Sequence, residues 1–373
     1  MGRQVARPLT VLQLLPALDA GGVEQGTIDV AAALVRHGHR SLVLSEAGRR
    51  VPRLLADGSE HIDWPVGRKS LSSLRLVACL RRLLLAEQVD ILHARSRLPA
   101  WIAWLAWRGM DPLRRPRFVT TVHGLYSVNA YSAVMTKGEQ LIAVSNSARD
   151  YVLANYSAVA PERVTVIHRG VDRAEFPPQF RPDEGWLAAW RDQYPSLAGR
   201  FVITLPGRIT RRKGIFDFIG IVTALKARGI PVHGLLVGEI PPGNRRLKKE
   251  LNAAIAAAGI TDAVTLTGYR ADVREIMAVS AVVLSISRQP EAFGRTVNEA
   301  MSLGVPVAGY AHGGVGEQLE SRFPQGCIAP LDQDAMVEKL AGWYVTPPAM
   351  QGIRPYALEE MLDKTLALYQ SLL

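Results

Sequence analysis

The stretch from Ser285 to Pro306, S-I-S-R-Q-P-E-A-F-G-R-T-V-N-E-A-M-S-L-G-V-P, decides how the rest of the chain is read. The apolar run Ala281 to Ile286 reads as a buried strand. A polar loop carrying Glu291, Ala292 and Phe293 follows, and Gly294 opens a helix. Arg295, Thr296 and Val297 occupy its first turn, where backbone N–H groups have no acceptor inside the helix and the helix dipole favours an anion. Glu299 stands about 7.5 Å further up that helix, at ~1.5 Å per residue. One carboxylate in the loop and one on the helix therefore flank a phosphate-sized site.

A nucleoside diphosphate sugar suits this arrangement, with sugar hydroxyls at Glu291, the diphosphate at the helix start and a ribose diol at Glu299. A glutamate on a helix is as readily a solvated charge, so the pattern gains its force in combination. The partner motif is G-R-I-T-R-R-K-G, Gly207 to Gly214, also placed after a strand. It sets Arg208 and Lys213 five positions apart at a second helix start, while Arg211 and Arg212 read as an ordinary basic turn. Fixed cations beside helix amides neutralise a departing diphosphate, with Arg clamping two oxygens and Lys acting as a mobile point charge.

Together, P-E-A-F-G with E-x7-E, and G-R-x4-K-G, resemble the retaining glycosyltransferases of family 4, which include glycogen synthase-like and bacterial lipopolysaccharide sugar transferases. The resemblance covers most of the chain. It implies the GT-B fold, an α/β architecture of two Rossmann-like domains facing across a cleft, with a C-terminal helix crossing back to the first. The expected domains are 1–175, joined by the helix 356–373, and 191–355, with 176–190 as a linker rich in proline. The first would bind acceptor and the second the nucleotide sugar.

Bulk properties agree with a two-domain globular protein of 373 residues, 48% of them hydrophobic. Net charge is +10. Residues 1–170 hold 22 Lys and Arg against 13 Asp and Glu, which is +9, so almost all of the basic excess lies in the first half. That half should meet an acidic partner, such as a phosphorylated or lipid-linked glycan acceptor or an anionic inner-membrane surface. No nucleic-acid module signature occurs. Cys79 and Cys327 sit among apolar residues and read as buried inert thiols of a reducing compartment. The longest apolar run, Leu98 to Trp107, falls short of the roughly 20 residues of a membrane span. Near the N-terminus, a first strand entering a Gly-Gly loop accounts for the residues after Arg3 and Arg7 better than a signal peptide does. A cytoplasmic monomer, peripheral on the inner membrane, is the expectation.

In chain order, strand Thr10 to Leu15 meets Ala20-Gly21-Gly22 and a helix from Val23 to about His37, a mononucleotide-type opening. A helix is read from Leu71 to Ala86. Trp101, Trp104 and Trp107 at helical spacing read as packing on a sheet, and Arg114, Arg115 and Arg117 as a membrane or acceptor contact. His123-Gly124 ends a central strand, where open α/β sheets bind ligands. The polar-aromatic loop with Tyr126, Ser127, Asn129 and Tyr131 is placed to meet acceptor. His168-Arg169 stands where the family usually has a different residue before Gly-Val-Asp, and receives no role.

Further assignments come from the resemblance. It implies that Gly21 and Gly22 face the donor phosphates, that His123 reaches the donor sugar, and that Gly238, Tyr269 and Arg270 lie near the nucleotide. It implies retention of anomeric configuration by a front-face route, since no convincing carboxylate nucleophile is present. Arg208 and Lys213 do the work of a metal, so no metal and no cofactor are expected, and UDP is the favoured donor nucleotide. Asp332-Gln333-Asp334 has the look of a manganese pair but follows Pro330 before a helix, and reads as a helix cap. Two other readings stand: a nucleotide-sugar epimerase of the same fold, and a basic non-catalytic nucleic-acid-binding protein.

Overall fold

The computed structural model describes residues 7–19, 21–68 and 73–373. Arg3, Ala20, and the first two residues of the helix read from Leu71, lie outside the described residues. The chain forms two compact units, Met1–Arg169 with Glu359–Leu373, and Gly170–Leu358.

The first unit holds strands β1 (Thr10–Ala17), β2 (Arg40–Glu46), β3 (Glu60–Asp63), β4 (Ile91–Ala94), β5 (Arg117–Val122), β6 (Gln140–Ala143) and β7 (Val164–Val166). All pair parallel, in the order β3-β2-β1-β4-β5-β6-β7. The second holds β8 (Phe201–Pro206), β9 (Val232–Val237), β10 (Val264–Gly268), β11 (Val282–Ser285), β12 (Val307–Tyr310) and β13 (Cys327–Ile328), in the order β10-β9-β8-β11-β12-β13. The central strands are apolar almost throughout, as strands buried on both faces must be. Each sheet reverses its strand order once, at β1/β4 and at β8/β11. These are the switch points where a crevice opens beyond the strand ends.

The segment 176–190 is not a linker. Phe176 and Phe180 pack against the second unit's core, Ser302 donates to the Phe176 carbonyl, and a helix starts at Glu184 with Asp183 as its cap. Its prolines mark turns on a packed surface, and contact of the half-buried phenylalanines with that core decides the outcome. Cys79 is exposed, contrary to the buried thiol expected, because it falls on the outer face of the helix Ser73–Ala86. Burial pushes the Cys327 thiol up to about 11, which keeps it protonated. Of the tryptophans on the helix Arg97–Arg108, Trp107 is buried against Phe118, and Trp101 donates to the Tyr131 carbonyl. That is packing, as the spacing implies. Arg115 stacks over Trp107 at 3.6 Å and Arg117 pairs with Glu139, so two of the three clustered arginines serve the first unit itself.

The last helix, Leu358–Ser371, is anchored in the first unit by a fully buried Tyr369. Its hydroxyl lies 2.6 Å from His93 Nδ1, while His93 Nε2 lies 2.7 Å from Thr121 Oγ1. Tyr369→Phe strands a buried ring nitrogen, so unfolding stability should fall by about 1–3 kcal/mol. Urea denaturation read through the first unit's tryptophans checks this, and an unchanged midpoint would show that the contact carries no stability.

Candidate active site

In the second unit the switch point brings together the loop after β8 and the loop after β11. Lys213 Nζ lies 2.7 Å from Glu291 Oε1, and the Ser287 hydroxyl donates to the same oxygen. Burial alone would raise the Glu291 carboxyl. The Lys213 ammonium, the Ser287 hydroxyl and the charge of Arg212 outweigh it and hold the group below its ordinary value. Glu291 is therefore an anion at neutral pH and suited to accept hydrogen bonds from hydroxyls.

Backbone packing makes this approach possible. The two loops are joined by the Arg288 amide donating to the Arg212 carbonyl and by the Arg212 guanidinium donating to the Pro290 carbonyl. Gly214 has φ 77°, and a Cβ there would stand 2.1 Å from the Ile286 carbonyl oxygen. On the far side, the Gly314 amide donates to the Glu291 carbonyl, and a Cβ at Gly313, φ 58°, would stand 2.5 Å from that oxygen. Buried Gln318 donates through Nε2 to the carbonyls of Phe293, Gly294 and Gly314. Ser287 and Gln318 carry no motif, and sequence reasoning missed both.

Gly294 caps the helix Arg295–Leu303, with φ 84°. The Val297 amide donates to the Gly294 carbonyl. Arg295 and Thr296 are thus left as the first-turn amides with no acceptor within the helix, one fewer than the three expected. Glu299 lies on this helix, with its carboxylate 3.0 Å from Arg295. Arg208 is exposed and forms no ion pair among the described residues. Gly207 lies against Lys213, whose Cε is 3.4 Å from the position of a Gly207 Cβ. A Cβ at Gly238 would stand 2.1 Å from the Gly207 carbonyl oxygen. Tyr269 is exposed. Arg270 turns away to Asp272, which also accepts from Trp186, and lies over the Trp190 ring, so its guanidinium clamps the unit's own fold. Asp332 caps the helix Gln333–Val345 by accepting from the Ala335 amide. Among the described residues no group of three or more His, Cys, Asp and Glu is arranged to hold a metal ion.

In the first unit the switch point carries Gly21 and Gly22 at the start of the helix Gly22–Arg36, Arg95 after β4 and His123 after β5. His123 Nε2 is sealed from solvent without a partner among the described residues. Burial, then the charges of Arg169 and Arg95, push its pKa well below the usual value, so the ring is neutral at pH 7. Tyr126 and Tyr131 share the Arg97 guanidinium, at 4.8 and 5.3 Å from their ring centres. Asn129 accepts from the Ser132 amide, and Ser127 is exposed.

Residues 20–175 match the model described as Glycosyltransferase Family 4, and residues 188–359 the one described as Glycosyl transferases group 1. The chain is 26% identical over 218 residues to "Lipopolysaccharide core biosynthesis mannosyltransferase LpcC" of Rhizobium leguminosarum bv. viciae, covering 56% of this chain and 60% of that protein. It is 26% identical over 220 residues to "Lipopolysaccharide core biosynthesis mannosyltransferase LpsB" of Rhizobium meliloti (strain 1021), covering 56% and 61%. The chain thus spans about three fifths of the length of these curated relatives. Among solved structures, a glycosyltransferase from Rickettsia africae ESF-5 superposes with a TM-score of 0.85 at 27% identity, over 98% of each chain. Anabaena Alr3699/HepE in complex with UDP and glucose gives 0.82 at 21% identity, over 97% of this chain and all of that one, a likeness of fold.

His93, fully buried, is also pushed well below its usual pKa, by burial and then by Arg95 and Arg169. A histidine kept neutral when folded contributes stability that is complete above its unfolded pKa of about 6.5 and is lost as pH falls below it. Going from pH 7.5 to 5.5 should therefore lower the stability, with His93 and His123 acting in the same direction. Urea midpoints at the two pH values test this, and equal midpoints would contradict it.

Proposed function

The chain belongs to the two-domain glycosyltransferases of family 4, with the GT-B fold, and from that membership we propose that it moves a sugar from a nucleoside diphosphate sugar to a glycan or lipid-linked acceptor. The observation that carries this reading is the Lys213–Glu291 contact at the β8/β11 switch point, backed by the amides of Arg295 and Thr296. With donor bound, the Lys213 ammonium turns to a phosphate oxygen and Glu291 accepts from sugar hydroxyls. Arg208, exposed and not engaged in any ion pair among the described residues, swings onto the same diphosphate. As the bond to the anomeric carbon breaks, negative charge grows on the leaving phosphate, and these donors are already aimed at it. They supply the neutralisation that a metal supplies elsewhere, so the transfer is metal-independent. Glu291, which keeps its hydrogen bond from Ser287, is assigned as an acceptor of sugar hydroxyls rather than a nucleophile. Retention then follows from attack on the face the phosphate leaves, with the phosphate taking the acceptor proton. His123, neutral, is assigned a donor hydroxyl, Glu299 the ribose diol, and UDP the nucleotide.

For the acceptor, the reading is a cell-envelope glycan such as lipopolysaccharide core, met at the inner face of the membrane by the basic first unit. No helix among the described residues is long and apolar enough to cross a membrane. Leu113, 94% exposed beside Arg114, is the contact this reading would use. The arginine-lined sites also meet the requirement for an anionic substrate without invoking nucleic acid.

A thermal shift series with UDP, GDP, ADP and CDP tests the donor half. A ligand at ~100 times its dissociation constant adds about 2.7 kcal/mol to stability. UDP should raise the melting temperature in the presence of EDTA, and Lys213→Ala should abolish the rise. In a transfer assay Lys213→Ala and Glu291→Ala should each lose about 100-fold or more in kcat, the scale expected for removing one preorganised charge partner. Wild-type turnover in both variants would refute the site, and free sugar or an epimer formed without acceptor would favour epimerase chemistry.

A further inference from the structure

The segments that carry Lys213 and Glu291 are joined by a second ion pair that the transfer scheme does not use. Lys213 and Asp217 stand four positions apart where the helix Ile215–Ala227 begins, and Arg288 and Glu291 stand three apart in the facing loop. Arg288 Nη1 donates to Asp217 Oδ1 at 2.5 Å. The two pairs therefore cross one gap with opposite polarity: the helix side supplies the cation in one and the carboxylate in the other. The Asp217 side chain is 3% exposed against 18% for Glu291, so it is the more deeply set carboxylate of the two.

Asp217 has supports of its own. It lies in the first turn of its helix, where the dipole favours a carboxylate. Gln333, the first residue of the helix Gln333–Val345, donates through Nε2 to the same Oδ1 at 3.1 Å. Gly220 leaves room for that glutamine, since a Cβ there would stand 2.7 Å from Gln333 Oε1. Glycine inside a helix is less stable than alanine, and here it lets a neutral donor reach the carboxylate. Burial pushes the Asp217 carboxyl up, and the Arg288 guanidinium draws it part of the way back. Among the described residues Arg288 is the one ion-pair partner of Asp217, and Oδ2 has no hydrogen bond. Without Arg288 the carboxylate is a buried charge with no counter-charge.

Arg288 is held at both ends, its amide on the Arg212 carbonyl at 2.8 Å and its guanidinium on Asp217. Just before it, the Ser287 carbonyl oxygen lies 2.8 Å from His312 Nε2, and the Ser287 hydroxyl donates to Glu291. The position of Arg288 thus governs the donor to Glu291 on one side and Glu291 itself on the other. In the transfer scheme the Lys213 ammonium leaves Glu291 for a phosphate oxygen, and one of the two ties across the gap opens. The Asp217–Arg288 contact uses neither group that meets the donor. We propose that Asp217 and Arg288 are positioning residues, whose ion pair keeps the loop of Ser287 and Glu291 in place while Lys213 is engaged with the donor, so that the carboxylate still meets the sugar hydroxyls. The inference rests on the reading of Lys213 and Glu291 as the donor site.

The test uses the full chain and two readouts. The first needs no ligand: amide hydrogen exchange over residues 286–291 in Lys213→Ala, which opens the first tie as donor binding does. That segment should stay protected in Lys213→Ala, and adding Arg288→Gln should speed its exchange about 10-fold or more, with the amides of β8 unchanged in both. The second readout is apparent affinity, from melting temperatures, for UDP, UDP-glucose and UDP-N-acetylglucosamine. In a chain that keeps Lys213, Asp217→Asn and Arg288→Gln should each weaken the tighter sugar nucleotide about 10-fold and UDP by less than about threefold, and the double variant should be no worse than either single one. The half-exposed Arg288 keeps the result readable if Asp217→Asn does not fold. A pair that serves only the fold would lower the melting temperature and leave the ratio of the two affinities unchanged, and that result would overturn the proposal. So would protection in Lys213→Ala that survives Arg288→Gln. Failure of both sugar nucleotides to bind more tightly than UDP in the unaltered chain would count against the donor role of Glu291 instead, and the exchange readout would still decide whether the pair holds the loop.

Discussion

The second unit depends on one close approach, the Lys213 ammonium against the Glu291 carboxylate. The two residues are far apart in sequence and meet because β8 and β11 are neighbours at the point where the strand order reverses. An ion pair this withdrawn from water repays its desolvation only when its remaining valences are met. Ser287 supplies one donor to the carboxylate, and the carbonyl-to-amide stitches between the loops hold the geometry. The tolerances are set by glycine. At residues 214, 313 and 314 a Cβ would stand within 2.5 Å of a backbone oxygen of the facing segment. Side chains there would push the loops apart, and the ion pair with them.

This is why so much of the site is legible in the sequence. Lys213 and Glu291 each sit a few residues from a helix start that their own glycines define, so local spacing fixes the geometry. The strand ends are legible too, because central parallel strands are continuous apolar runs. What cannot be read is whatever depends on a partner distant in sequence. The Arg270 side chain looks available until Trp190 is brought beneath it and Trp186 fixes its neighbour Asp272. Gln318 and Ser287 are common residue types whose importance comes from the carbonyls and carboxylate they meet. Residues 176–190 look like a linker because proline composition says nothing about where Phe176 and Phe180 pack. The short strands β3 and β13 have too few residues to display a period. Cys79 misleads because its apolar neighbours on the helix do not all share its face.

The two units share one plan and use it differently. Both place cations at a switch point beside the start of a helix. In the second unit the cation comes with its own counter-charge, so Lys213 is satisfied within the unit. In the first unit Arg95 has no carboxylate to return to among the described residues, and Arg169 occupies space that only Gly26 leaves open. A buried cation without an internal counter-charge, as Arg95 is among the described residues, carries a desolvation cost that nothing in the unit offsets.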